Sequence, residues 1–374
     1  MADKSDMVFG RDAGPGVLPS GDNSTISGTT FSQFQVMLRK SVAAGTTFSK
    51  PIVRTYALVY TFTSQSYQGG VLSPNGEIHF VPYSASVGQK INTINGLVST
   101  YSLIYTVGSA YFGGVLTPNG EIHFIPLGAA VGQKLSSSGV VSTYSIIYTN
   151  SGGAYAGGVI ASNGDIIFSP FVAPVGQKVS SAGVVSTYSI IYTNSGGAYG
   201  GCVLAPNGDV HFIPKNNATV GQKRSANGVV STYSLIYTAG TYTGGVLDMN
   251  GGIHFVPTSA RVGQKVSSAG VVSTYNLIYT ANNANSGGVL APNGDIYFIN
   301  NAGAVGQKVN NAGVVSTYNI IYTNSAGTYH GGVLDQYGDI HMIPGGIPVG
   351  QLLSTLPAIP FSLPVCCSPF FNKF

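Results

Sequence analysis

Short apolar runs, broken every few residues by Gly, Ser, Thr, Asn or Pro, fill most of this 374-residue chain. Residues 78–82 (IHFVP) are typical, because the run is almost continuously apolar and rich in branched and aromatic residues, as in a strand buried on both faces. Asn75 and Gly76 precede it, and Asn-Gly is a strong hairpin signal because both residues tolerate positive φ. No segment of the repeating region has the i, i+3, i+4, i+7 spacing of a helix. The pattern predicts short strands and an all-β fold.

Three strings recur along the chain, with seven copies of each, and the copies of the GGVL string are 43 or 44 residues apart. The Val of the GGVL string lies at Val71, Val115, Val159, Val203, Val246, Val289 and Val333. The Val of the VGQK string lies at Val87, Val131, Val175, Val220, Val262, Val305 and Val349. The first Tyr of the STY string lies at Tyr56, Tyr101, Tyr144, Tyr188, Tyr233, Tyr275 and Tyr318. Together with the apolar run after the Pro-Asn-Gly turn, these strings predict four strands per unit.

Seven units of four strands with this period resemble seven-bladed β-propellers, in which each sheet covers its neighbours. The resemblance covers residues 52–353 and implies the fold, but propellers serve many functions. A fourth-strand string at residues 53–61 precedes the first GGVL, and nothing similar follows Val349. We therefore expect the start of this region to complete its last blade. A linear solenoid or an open array remains the alternative, but such arrays usually need atypical capping repeats.

Two segments outside the repeat, residues 1–51 and 354–374, are predicted to anchor the propeller. In the first, apolar residues at three-to-four spacing predict a short amphipathic helix: Phe31, Phe34, Met37 and Leu38. The second segment combines prolines with four phenylalanines, and an apolar segment of this kind would mark a docking site for a partner. These are Phe361, Phe370, Phe371 and Phe374.

Composition narrows the classes of protein. Only 7% of residues are charged, 44% are hydrophobic and the mean hydropathy is +0.24, which excludes disorder for the bulk of the chain. No apolar run reaches about 18 residues, so we expect no membrane-spanning helix. The net charge of +4 is dispersed along the chain, so the sequence contains no cluster of basic residues of the kind that binds nucleic acid. The first residues lack the pattern of a secretory signal peptide.

Most remaining charges follow the repeat. An acid comes after the Asn-Gly turn at Glu77, Glu121, Asp165, Asp209, Asp295 and Asp339. A lysine ends the VGQK string at Lys90, Lys134, Lys178, Lys223, Lys265 and Lys308. Antiparallel pairing brings these positions together, so we expect structural ion pairs. Gly252 leaves Lys265 without its acid, and Leu352 leaves Asp339 without its lysine.

Neither metal, cofactor nor catalysis is predicted. Five units share a histidine, at His79, His123, His211, His254 and His341, but two carry Ile167 and Tyr297 there. Metal ligands are not interchangeable with Ile, so we expect a half-buried His bonded to a neighbouring blade. The three cysteines, Cys202, Cys366 and Cys367, form no CxxC pair. No blade adds a close pair of carboxylates, so the protein is not expected to be an enzyme.

The loops before GGVL are the predicted ligand site. They are rich in Tyr, Ser, Gly and Asn, which suits adaptable recognition such as glycan binding. The candidate residues are Tyr67, Tyr111, Tyr155, Tyr199, Tyr242, Asn285 and Tyr329. The alternative is that these tyrosines pack against the next blade. The loops after the IP dipeptide share their face and differ most between units.

Three functions compete. The first is a non-enzymatic structural or adhesive component of a virus particle of the tailed-phage type. Its propeller would be displayed for host-glycan attachment or capsid or tail decoration, its ends would bind other structural proteins, and it could form a homo-oligomer. The second is a stand-alone carbohydrate-binding propeller, extracellular or at a cell surface. The third, a glycan hydrolase or lyase, is disfavoured by the regularity of the blades.

Overall fold

The computed structural model describes residues 52–61, 65–216, 218–321 and 327–355. These residues form 28 strands in seven four-stranded antiparallel sheets. No helix among them is long and apolar enough to cross a membrane. The predicted all-β propeller with four strands per blade is confirmed.

Each blade is a meander, numbered here from its innermost strand outwards. Blade 1 contains β2 (Tyr67–Leu72), β3 (Glu77–Pro82), β4 (Val87–Asn92) and β5 (Val98–Ser102). Blade 2 contains β6 (Tyr111–Leu116), β7 (Ile122–Pro126), β8 (Val131–Leu135) and β9 (Val141–Ser145). Blade 3 contains β10 (Tyr155–Ile160), β11 (Ile166–Pro170), β12 (Val175–Val179) and β13 (Val185–Ser189). Blade 4 contains β14 (Tyr199–Leu204), β15 (Val210–Pro214), β16 (Val220–Arg224) and β17 (Val230–Ser234).

The remaining three blades follow the same order. Blade 5 contains β18 (Tyr242–Leu247), β19 (Ile253–Pro257), β20 (Val262–Val266) and β21 (Val272–Asn276). Blade 6 contains β22 (Asn285–Leu290), β23 (Ile296–Asn300), β24 (Gly306–Val309) and β25 (Val315–Tyr318). Blade 7 contains β26 (Tyr329–Leu334), β27 (Asp339–Pro344), β28 (Val349–Ser354) and, as its outermost strand, β1 (Ile52–Ala57).

Strand β1 closes the ring. It pairs antiparallel with β28, with Ile52 opposite Ser354 and Ala57 opposite Val349. The predicted completion of the last blade by the start of the repeat region is therefore confirmed.

The innermost strands meet around the central axis at the first glycine of each GG pair. At Gly113 the backbone has φ of 71°, and an added Cβ would lie 3.4 Å from Gly157 Cα in the next blade. The positive φ disfavours any side chain there, and the backbone of the next blade lies at van der Waals distance. Outwards from the axis, apolar side chains of adjacent blades pack together; Val71 and Val81 of blade 1 join Tyr111 and Phe124 of blade 2 in one cluster.

The meander gives the ring two different faces. The turn face carries the turns between first and second strands and those between third and fourth strands. The loop face carries the loops between second and third strands and the links from one blade to the next. Because β28 ends and β1 begins at the turn face, the chain both enters and leaves the ring there, side by side at Ile52 and Ser354.

Candidate functional site

The seven predicted ligand residues open the innermost strands and lie in the interior. Tyr67, Tyr111, Tyr155, Tyr199, Tyr242, Asn285 and Tyr329 are all 2% exposed or less. Tyr67 Oη donates to Val87 O at 3.1 Å, and the ring packs edge-on against Phe80. The same ring clusters with Ile343 of the neighbouring blade. The prediction that these side chains form an exposed surface is wrong, because the tyrosine hydroxyl finds its partner inside the blade.

The repeated histidines are buried, not half-buried, and their partners lie within their own blade. His123 Nδ1 lies 3.3 Å from Tyr144 Oη, and His254 Nε2 lies 3.3 Å from Asp248 Oδ2. The predicted bond to a neighbouring blade is therefore wrong. Burial lowers the pKa of His79, His123 and His211 to about 4, so these imidazoles are neutral at pH 7.

The predicted ion pairs are confirmed in five blades. The lysine Nζ lies 2.5–2.8 Å from the carboxylate in Lys90–Glu77, Lys134–Glu121, Lys178–Asp165, Lys223–Asp209 and Lys308–Asp295. The hydrogen bond from Lys134 holds the pKa of Glu121 below its usual value. In the two exceptional blades, Asp248 and Asp335 instead approach the histidine.

A cleft of about 250 Å³ lies at the turn face between blades 1 and 2. Its charged lining is Glu77 and Lys90, which are bonded to each other at 2.7 Å, and the neutral His79 lies beside them. In the part of the chain that the structure describes, no three His, Cys, Asp or Glu side chains are grouped as a metal site would need. The acid and the lysine of the cleft repeat a structural pair found in other blades.

The predicted anchor residues lie outside the described residues. They are Phe31, Phe34, Met37, Leu38, Phe361, Phe370, Phe371 and Phe374. What the structure adds is the point of attachment, because the chain joins the ring at Ile52 and leaves it after Ser354, both at the turn face.

The axial end of the loop face is where the blades differ, and we call it the axial surface. Its first seven positions follow the buried residue that opens each innermost strand: Gln68, Phe112, Ala156, Gly200, Thr243, Ser286 and His330. Its other seven open the second-to-third-strand loops: Tyr83, Leu127, Phe171, Lys215, Thr258, Asn301 and Gly345.

The two positions of one blade lie side by side, and they are in contact in blades 4, 5 and 7. Thr258 Oγ1 donates to Thr243 Oγ1 at 2.9 Å. A Cβ added to Gly200 would lie 2.6 Å from Lys215 Cδ, so the lysine chain occupies the space above that glycine. A Cβ added to Gly345 would lie 1.9 Å from His330 Cδ2. In blades 4 and 7, the large side chain at one position therefore requires the glycine at the other.

Lys215 reaches across the inner end of blade 3. Its Nζ lies 5.2 Å from the ring centre of Phe171 in blade 3 and 5.5 Å from that of Phe112 in blade 2. Phe171 itself is seated on Gly197, whose added Cβ would lie 2.1 Å from the ring. Burial lowers the pKa of Lys215 to about 8. Both rings and the lysine remain partly exposed.

Blades 6, 7 and 1 contribute a polar arc on the opposite side. Asn301 Oδ1, His330 Nε2 and Gln68 Oε1 are buried, and none of these three atoms has a hydrogen-bond partner in the structure. A Cβ added to Gly327 would lie 3.2 Å from Asn301 Oδ1 and 3.4 Å from His330 Nε2, so these two atoms converge on one point. Burial lowers the pKa of His330 to about 4.

The described acidic side chains all lie at one face of the ring. Every carboxylate in the described ranges lies in or beside a first-to-second-strand turn, at the turn face: Glu77, Glu121, Asp165, Asp209, Asp248, Asp295, Asp335 and Asp339. The described loop-face loops carry Lys215 and Arg261 and no acid. The axial surface is thus apolar and cationic on one side and polar and uncharged on the other.

Sequence reasoning placed variable loops on this face but missed Phe112, Lys215 and His330. The available signal was variation between units at a single position. The residue after the strand-opening Tyr or Asn is different in all seven units, whereas the glycine that follows it is present in all seven.

Comparison with known proteins shows the fold. No protein-family model matches the sequence, and no curated protein matches it. A streptogramin B lyase structure superposes with a TM-score of 0.71 at 18% identity, over 82% of this chain and 99% of that chain. Virginiamycin B lyase from Staphylococcus aureus gives 0.70 at 16% identity, over 82% and 99%, and its catalytically inactive variant has been solved with quinupristin. The WD40 β-propeller domain of Doa1 gives 0.61 at 12% identity, over 83% and 98%.

Proposed function

We propose that the protein is a non-catalytic binding propeller, held through chain segments at its turn face and presenting its axial surface to a ligand. The observation that carries the proposal is the position of Ile52 opposite Ser354. Segments joined to the ring at Ile52 and Ser354 are attached to the turn face, which is the face opposite the axial surface. Anchoring and recognition therefore do not compete for space.

The ligand surface is inferred from where the repeat departs from itself. Positions that pack blades together barely change, whereas the axial positions range from Gly200 to Phe112 and from Gly345 to Lys215. Packing within blades 4 and 7 requires only that a large side chain face a glycine, and it does not require a different residue in every blade. A central surface to which seven blades contribute different side chains is suited to one asymmetric ligand.

The setting proposed for this propeller is a virus particle of the tailed-phage type. There it serves host-glycan attachment or capsid or tail decoration, with the segments 1–51 and 354–374 binding other structural proteins or further copies. A stand-alone carbohydrate-binding propeller uses the same surface and is the alternative. The display geometry supports both settings.

A lyase is the second alternative and the enzymatic one, favoured by one observation: His330 lies on the axial surface of a fold shared with lyases. Two features weigh against it. The described carboxylates all lie at the other face, and His330 Nε2 is buried. Quinupristin incubated with the full chain should remain intact by mass spectrometry, and its enzyme-dependent cleavage would favour the lyase.

Binding of the full chain to a glycan array tests the proposal. We expect selective binding that Phe171→Ser reduces by about tenfold or more, since it removes a large aromatic contact. Ile94→Ser is the matched control, because it removes an aliphatic side chain that is 66% exposed at the turn face. Equal loss in both variants, or no glycan bound, would contradict the proposed function.

A further inference from the structure

Lys215 is a cation on the axial surface and has no anionic partner among the residues that the structure describes. Lys215 forms no ion pair with any described residue, whereas the five repeat lysines at the turn face do. The side chains facing its Nζ are the rings of Phe112 and Phe171, neither of which titrates. A partly buried ammonium between two aromatic rings is stabilised by their π faces but keeps unused donors.

The charges around Lys215 favour the binding of an anionic ligand. The loop-face loops described in the structure carry Lys215 and Arg261 without a carboxylate, so no local acid repels an approaching anion. In a partly desolvated position, an ammonium–carboxylate hydrogen bond is stronger than one at a fully exposed surface.

The aromatic rings set the shape of the ligand. Phe171 is fixed on Gly197, and Phe112 lies on the other side of the Lys215 ammonium. Flat apolar faces beside a cation suit a ring with C–H groups on one side and a carboxylate at its edge. Across the axis, Asn301, His330 and Gln68 hold buried polar atoms without partners. Each such atom costs free energy unless an ordered water reaches it.

We propose that the axial surface recognises an acidic sugar residue of a surface glycan, a uronic or sialic acid type. Lys215 pairs with its carboxylate, and Phe112 and Phe171 pack against its ring face. This assignment deepens the proposed function and rests on it.

The experiment titrates the full chain with sialyllactose and with lactose, its matched neutral glycan. We expect a preference for the acidic probe. Lys215→Gln should remove that preference, lowering affinity for sialyllactose by about ten- to a hundredfold, as for loss of a charge-assisted bond. Arg261→Gln is the matched control, because it removes the same charge from an exposed position on the same face.

Further variants separate charge from packing and from folding. Phe171→Leu should weaken both probes, because it removes the ring face but leaves the ammonium. Thermal unfolding of each variant identifies any loss that comes from misfolding; if Lys215→Gln fails to fold, Lys215→Arg should keep the acidic preference in its place.

Binding should also depend on pH. Burial alone shifts the pKa of Lys215 to about 8, and a bound carboxylate raises it again. Affinity for sialyllactose should therefore fall as pH rises through about 8, with proton uptake on binding in calorimetry. Lactose affinity should not change over that interval.

The outcomes are distinguishable. An acidic preference that Lys215→Gln removes and Arg261→Gln keeps supports the assignment. Equal binding of both probes, or a preference that survives Lys215→Gln, overturns the assignment and leaves the proposed glycan function standing. Absence of binding to any glycan of the array overturns both.

Discussion

One pair of residues breaks the packing rule of the interfaces between blades. In six interfaces the second glycine of the GG pair faces an Ile or Val of the preceding blade, and an added Cβ would lie 2.7–3.1 Å from that side chain. In the seventh, Cys202 replaces the glycine and Ser169 replaces the Ile. Ser169 Oγ donates to Gly201 O at 2.9 Å. The gain in volume on one strand is matched by a loss on its neighbour, which makes Cys202 a packing residue.

This exchange predicts a strong coupling between the two positions. Ser169→Ile alone should lower the free energy of unfolding by about 2–4 kcal/mol, because it overfills the site and removes a hydrogen bond. The double change Ser169→Ile with Cys202→Gly recreates the pair of the other interfaces and should recover stability to within about 1 kcal/mol. Denaturant unfolding of the four proteins measures the coupling. Additive losses would show that the two side chains are independent.

At the scale of the element, every residue of the VGQK string in the third strand makes its own structural contact. In blade 1, Val87 O accepts the bond from Tyr67, and the Tyr101 ring covers Gly88, whose added Cβ would lie 2.2 Å from it. Gln89 Oε1 accepts the backbone N–H groups of Val59 and Tyr60, in the segment that links blade 7 to blade 1. Lysine follows with its ion pair. The glutamine thus ties each blade to the link before it.

The sequence predicted only part of this strand. The lysine was predictable because a charge repeating at a fixed distance from an opposite charge implies a pair. The roles of Gly88 and Gln89 were not, because they depend on which strand lies beside them and on a backbone segment 29 or 30 residues away. The prediction that the strand-opening tyrosines bind a ligand failed for the same reason. A Tyr hydroxyl can find a hydrogen-bond partner inside a blade as readily as at the surface, and the sequence does not show which.

Replacing one such glutamine should be costly. Gln177 Oε1 accepts from Ile147 N and Tyr148 N, both at 3.0 Å, and Gln177→Leu leaves both donors without it. We expect the free energy of unfolding to fall by about 2–4 kcal/mol. Gln177→Glu, compared with the other two proteins at an acidic pH that keeps the buried carboxyl protonated, is the control, because it keeps the oxygen that accepts both N–H groups and replaces a buried Nε2 that lacks a hydrogen-bond partner. A loss from Gln177→Glu as large as that from Gln177→Leu would contradict the role of the oxygen.

At the scale of the molecule, the sequence predicted the ring and its closure but not the site. Seven copies with one fourth-strand string out of order determine that β1 joins blade 7. The axial surface is assembled from one or two residues of each blade, so no local pattern contains it. Lys215 and Phe112 are 103 positions apart in the chain and meet only because the blades share an axis.

The division of the ring into a turn face and a loop face is the centre of this account. A crystal structure of the full chain soaked with sialyllactose at saturating concentration tests it most directly. The account predicts the sugar on the axial surface, with its carboxylate at about hydrogen-bonding distance from Lys215 Nζ and its ring against Phe171. A sugar bound at the turn face or in the cleft between blades 1 and 2, or an axial surface left empty, would contradict it.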